Sequence, residues 1–258
     1  MIMFRLAAVL LLFAALPLSA LTVLDGSVDG VMPLRRQAMM LALENKWKLS
    51  VRSVSAKEAL RDLKAGKADA IVLEEKDIPQ NTPFEKHIFA LRAVAVYVNA
   101  NNTCTGLSRQ ELTQLLALAR PTWKKITGNR VDIHLYGLSE KADGYGLFSR
   151  LVLKPDFQIK SPVFRTASTN NVIRLCAGNP VAMGIALFSA NANEMVRPLA
   201  IDGVAPTFEN LGQGKYPLMV TYVLLVPAEK KPEIKQLIES FKTPRFLELL
   251  ESSGMLAR

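Results

Sequence analysis

Two cysteines and two histidines are all that 258 residues offer of the side chains that most often ligate transition metals. Cys104 and Cys176 are far apart in sequence and make no Cys-x-x-Cys pair, and His87 and His134 complete no zinc-like spacing. No metal and no cofactor is therefore expected. A Gly-x-Ser-x-Gly elbow is also missing, so neither a nucleophile with its base nor a metal cluster is in view. The chain reads as a binding protein and not as an enzyme. No basic run is dense enough, or interleaved with aromatics, to form a nucleic-acid groove. Beyond the first twenty residues no apolar run is long enough to span a bilayer, so the mature chain is not expected to be membrane-embedded.

Half of the residues are hydrophobic, enough for a sizeable core in one large or two small domains. Residues 1–20 are laid out as a secretory signal peptide. Arg5 gives a positive start, Leu6 to Leu16 is unbroken apolar sequence, and Pro17-Leu-Ser-Ala20 ends on a small residue. No cysteine succeeds the apolar run, which leaves no lipoprotein anchoring position. A periplasmic or otherwise exported protein is expected. The formal charge is +9, or +8 without Arg5, and it is spread over pairs such as Arg35-Arg36 and Lys124-Lys125. A diffuse positive surface steers anions and acidic partners.

Leu21-Thr-Val-Leu24 reads as a first strand, followed by a turn over Asp25 to Gly30. Leu34, Ala38, Leu41 and Ala42 share one helix face. Leu49 to Val54 alternates as a strand, Ser55 and Glu58 form a capping box, and Ala68 to Leu73 is a buried strand. This β-α-β-α-β order predicts a parallel sheet flanked by helices. Leu91 to Asn99 is a longer strand, and Ser108 with Glu111 caps another helix. Val131 to Leu135 alternates as a strand, Asn170 to Ala177 reads as a helix, and Met183 to Phe188 as a strand. Pro198 to Pro217 is expected to be mostly irregular. Tyr216 to Val226 is a second long strand, and two helices close the chain.

Between the strand ending at Leu135 and apolar residues at helical spacing (Phe148, Leu151, Val152) lies Lys141-Ala-Asp-Gly-Tyr-Gly-Leu147. A glycine-bearing loop running into a helix start is an anion cradle, because the first N–H groups of a helix have no internal partner. The same residues also suit a plain turn, with Asp143 as the helix N-cap.

In order and spacing, these motifs resemble the phosphate-binding proteins of ABC importers, a branch of the type II periplasmic binding proteins. The resemblance runs from about Leu21 to Leu256. It rests on Gly26-Ser27 after the first strand, Gly66-Lys-Ala-Asp-Ala70, Val94 to Asn99 followed by Leu107 to Leu112, Asn179 to Ile185, and Ile201 to Asn210 with Tyr216-Pro217. It implies a two-lobed α/β fold with mixed sheets flanked by helices and two strands crossing between the lobes. Lobe 1 would comprise residues 21–92 and 218–258, and lobe 2 residues 93–217.

The resemblance also implies a ligand site between the lobes, built from Gly26, Ser27, Ser55, Glu74, Lys141, Asp143, Gly144, Tyr145 and Gly146. Glu74 stands where the family has a carboxylate that accepts a proton from a protonated anion, although it also fits an ordinary strand end. Ser55 matches the family's second serine loop, and its capping role explains it equally well. The family's central loop reads Arg, three residues, then Ser-Gly-Thr. One register sets Lys141 on the arginine and Tyr145-Gly-Leu147 on Ser-Gly-Thr; another sets Ala142-Asp-Gly144 there and leaves no basic match. In both, the guanidinium and the two hydroxyls are gone. The function so implied is that of an exported solute-binding protein for a small anion, phosphate-like or larger, with an ABC permease as partner. The other reading is a sensor or interaction module on the same fold that binds no phosphate. Cys104 and Cys176 are either one disulfide, as export permits, or two separate buried thiols.

Overall fold

The computed structural model describes residues 20–27, 32–153, 156–189 and 192–258. The signal-peptide reading lies outside the described residues apart from Ala20, as do residues 28–30 of the turn expected after the first strand. The chain runs β1 (Leu21–Asp25), α1 (Met32–Asn45), β2 (Leu49–Ser53), α2 (Ala56–Lys64), β3 (Ala70–Glu74) and the long β4 (Glu85–Asn99). Then come β5 (Gly106–Leu107), α3 (Arg109–Leu116), α4 (Lys124–Thr127), β6 (His134–Leu138), α5 (Tyr145–Val152), β7 (Val163–Thr166), α6 (Thr169–Ala177) and β8 (Ala182–Leu187). The last elements are β9 (Val196–Pro198), β10 (Ala200–Ile201), α7 (Phe208–Gly212), β11 (Met219–Val226), α8 (Pro232–Ser240) and α9 (Pro244–Ser252).

The main sheet has the strand order β2-β1-β3-β11-β4-β8-β6-β7, with β9 also on β4. β1, β2 and β3 are parallel, while β11 runs antiparallel to both β3 and β4. β8 is antiparallel to β4, and β6 is parallel to β7 and β8. The carboxyl ends of β1–β3 and those of β6–β8 therefore point toward one another along β4. The change of partner is sharp: β4 pairs with β11 up to Ala93↔Met219 and with β8 from Val94↔Leu187 onward. At this seam Val94 N–H donates to Leu218 O at 2.8 Å, so the residue leading into β11 also pairs across the junction.

The side-chain period of two sorts the first half of the sheet into two faces. Val23, Val72 and Leu224 join Leu34 and Ala38 of α1 in the main core. Leu24, Ile71, Leu73, Val223 and Leu225 face α2 through Ala59 and Leu63. Every residue of β4 from Phe89 to Asn99 is buried, as expected of a strand covered on both faces. Both serine caps fall where the sequence predicts them, but the box expected at Ser55 and Glu58 is only a one-way cap. Ser55 accepts from Glu58 N–H at 3.2 Å, and Ser108 with Glu111 makes the full reciprocal box.

One strand is shifted from its expected place. The strand expected over 131–135 lies instead at His134–Leu138, because 131–133 pairs back on 121–123: Trp123 N–H donates to Val131 O, and Ile133 N–H to Pro121 O. Its alternation misleads because Val131 is exposed. The stretch 198–217 is mostly irregular, as expected, with only the short β10 and α7 and the end of β9 inside it. Of the two alternatives open for Cys104 and Cys176, the second holds: they are two separate, free, buried thiols and form no disulfide. Cys176 sits on α6 beneath β8, so close that a Cβ added at Gly184 would lie 2.5 Å from its sulfur. Cys104 is held elsewhere, its N–H on Asn102 Oδ1 at 2.9 Å and its thiol on Gly106 O at 3.5 Å. Burial raises both thiol pKa values, that of Cys176 to about 12. Iodoacetamide at pH 8 is therefore expected to leave both thiols of the folded protein unmodified and to modify both once urea unfolds it. Melting temperatures with and without reductant should coincide.

Candidate functional site

The carboxyl ends of β1, β2 and β3 are knitted together. Gly26 N–H donates to Val72 O at 2.9 Å, and Val54 N–H to Asp25 O at 2.8 Å. Gly26 is needed here for space, since a Cβ on it would lie 2.7 Å from Leu73 Cδ2 and 2.9 Å from Ala56 Cα. Ser27 donates its hydroxyl to the buried Asp25 carboxylate at 2.6 Å and its N–H to the same oxygen at 3.0 Å. Ser55 is committed to its cap. Both serines expected to meet a ligand thus already hold the loops that carry them.

Glu74 ends β3 opposite Tyr222 of β11, itself opposite Ala90 of β4, just short of the seam. Its side chain is only 2% exposed, and Arg150 of α5 reaches it from the other half of the sheet. Arg150 Nη1 lies 2.8 Å from Glu74 Oε1 and 3.0 Å from Oε2, with hydrogen-bond geometry to Oε2 alone. The exposed Lys76 adds its ammonium 3.0 Å from Oε2. The carboxylate expected to receive a ligand's proton is therefore clasped by an arginine.

On the β6–α5 turn, Gly144 is the N-cap of α5 with a left-handed φ of 89°, and Asp143 is not the cap. Gly144 takes this conformation at no steric cost to itself. Asp143 instead reaches Arg92 of β4, whose Nη2 donates to its Oδ2. Lys141 is exposed. The Tyr145 N–H is used by Ala142 O at 3.2 Å, while Gly146 comes next in the first turn of α5. The Tyr145 ring is engaged by Arg165, 5.4 Å from its centroid, and by Phe148. The turn's own cation is thus exposed, and the carboxylates are met instead by Arg92 of β4, which is buried, and Arg150 of α5, which is partly exposed.

Next to Asp143 opens a cleft of about 660 Å³. Its walls are the ends of β7 and β8, the start of α6 at Ser168 and Thr169, and the C-terminal segment Glu251 to Leu256. Leu256 is bridged to Leu91 of β4, and Phe188 N–H donates to Ala93 O, so the cleft flanks the strand on either side of Arg92.

Residues 34–243 match the model of a PBP superfamily domain. The chain belongs to the PBP superfamily. The phosphate-binding protein PstS of Bacillus subtilis (strain 168) is 26% identical over 148 residues, which are 57% of this chain. The chain spans about half of that curated relative, since the match covers 49% of it. Among solved structures, a possible phosphate binding protein from Planctomyces limnophilus DSM 3776 superposes with a TM-score of 0.73 at 17% identity, covering 93% of both chains. PstS from Borrelia burgdorferi gives 0.70 at 16% identity, covering 92% of this chain and 98% of that one. An ABC-type phosphate transport receptor from Vibrio cholerae gives 0.63 at 19%, covering 91% and 99%. These likenesses establish the two-lobed α/β fold that the motif order implied.

In this PBP-superfamily chain the sequence points to Glu74 and Asp143 but to neither of their arginines. Arg92 carries a signal: it is the one charge between Phe89 and Asn99, inside an otherwise apolar strand. A buried charge there needs a partner. Arg150 carries none, being an ordinary basic residue in the last turn of an amphipathic helix.

Proposed function

We propose that this chain is an exported solute-binding protein that captures a small anion between its lobes and delivers it to an ABC-type importer. In this reading, residues 21–92 and 218–258 form one lobe and 93–217 the other, with the boundary at the seam of β4. The observation that carries the reading is the pair of guanidinium groups near that seam, Arg92 and Arg150, each already covered by a carboxylate of the chain itself. An anion that enters has to take the place of one of them. The name of the Bacillus subtilis relative and the carboxyl ends of β1–β3 facing those of β6–β8 support the same reading.

The internal carboxylates also set the expected affinity. A hydrogen bond to a charged group is worth about 1.5–3 kcal/mol. Displacing one therefore weakens an incoming oxyanion by about one to two orders of magnitude. Calorimetry of the purified chain with phosphate, sulfate and organic anions, together with mass spectrometry of co-purifying small molecules, tests this. Micromolar or weaker phosphate binding is the expected result. Submicromolar binding that is indifferent to Arg92→Lys and Arg150→Ala would overturn the assignment of these arginines, and an absence of any anion binding would overturn the function.

A further inference from the structure

We propose that Arg92 is the seat for the carboxylate of a small organic anion, and that the Asp143 carboxylate is the group this ligand displaces. The inference rests on the anion-capture reading above and adds the residue and the ligand class.

Arg92 sits one residue before the change of partner at Ala93, with its side chain 1% exposed. Such a guanidinium is costly to bury unless its donors are met. One donor is met by Asp143, but Nε is buried and has no hydrogen-bond partner among the described residues. A carboxylate meets an arginine best with two parallel bonds, one from Nε and one from Nη. Asp143 makes the Nη2 bond and leaves the other unmade.

Asp143 is also easy to displace. Its side chain is 68% exposed, so once released its charge is hydrated and not stranded. It stands beside Gly144, whose φ of 89° marks a turn built on backbone freedom. The exchange replaces a one-bond contact with a two-bond contact.

The adjoining cleft indicates what the carboxylate is attached to. Asp143 forms part of its wall, which also carries Arg174 and Glu251 and offers Asn170 and Asn193 beside Ile173 and Phe188. Inorganic phosphate or sulfate would satisfy the guanidinium and leave the apolar wall bare. A carboxylate on a short carbon skeleton covers both.

Asp143→Ala tests this directly, because the substitution vacates the seat on the protein surface without enlarging the core. The melting temperature of the variant should fall below that of wild type. Formate and acetate should then restore it, while sodium chloride at the same ionic strength should not. Succinate should bind Asp143→Ala at least tenfold more tightly than wild type by calorimetry, and Arg92→Lys at least tenfold more weakly. Equal responses of wild type and variant to acetate would overturn the proposal, as would phosphate or sulfate restoring stability as well as acetate. Anion binding that ignores both Arg92→Lys and Asp143→Ala would overturn the seat while leaving anion capture intact. Failure of every carboxylate and phosphate to bind either protein would overturn both.

Discussion

Arg150→Ala is expected to destabilise the chain by about 3 kcal/mol, the lower end of the cost of breaking a buried ion pair by removing one partner. The lower end applies because Lys76 remains beside Glu74 and because Arg150 itself is 28% exposed. For a chain of this size the loss corresponds to a fall of about 6–12 °C in melting temperature. Glu74→Gln should cost less, since the arginine it abandons can turn to water. A double-mutant cycle should therefore show strong coupling between the two positions. Lys76→Ala is the control, an exposed partner whose loss should cost less than about 1 kcal/mol. Because Glu74 ends β3 and Arg150 lies on α5, the pair bridges the two halves of the sheet. Small-angle scattering of Arg150→Ala should accordingly give a larger radius of gyration than wild type. An unchanged radius together with an unchanged melting temperature would show that the pair ties nothing.

Gly144→Ala should be damaging for a different reason. The position has a φ of 89°, where an L side chain costs about 1–2 kcal/mol. The added methyl would also lie 2.5 Å from Leu187 Cγ and 2.6 Å from Cδ2, at the buried end of β8. Overpacking of this kind costs about 1–3 kcal/mol. The expected loss is about 2–5 kcal/mol, the sum of the two, read by urea denaturation. The relief of that clash moves the turn that carries Asp143, so Asp143 should lose its hold on Arg92. A loss under about 0.5 kcal/mol, the range of an ordinary surface substitution, would show that the turn gives way freely.

The parts of the fold legible in the sequence are those decided locally. Caps at Ser55 and Ser108 depend on bonds three residues away, and each is made. Strands buried on both faces, such as β3 and the core of β4, declare themselves as apolar runs. β6 does not, because its neighbour 131–133 mimics alternation while serving a bridge to Thr122. β7 leaves no apolar signature because it lies at the sheet edge, with Phe164 and Arg165 exposed in a four-residue strand. The site obeys the same rule. Glycines 26 and 144 mark turns in the sequence itself. The Glu74–Arg150 and Arg92–Asp143 pairs span 76 and 51 positions, and no local pattern selects a partner at that distance.

The position of β11 in the sheet has a consequence for how the molecule is made. β3 lies between β1 and β11, so one of its edges stays open until the segment Met219–Val226 arrives. β4 likewise lacks its β11 partner until then. During synthesis at about 5–20 residues per second, the first strands wait many seconds with unpaired edges. Pairings this distant in sequence slow folding, because the loop entropy has to be lost before the contacts form. The sheet is thus closed only when the chain is nearly complete, and a chain halted before residue 219 holds an adhesive β3 edge that invites another strand.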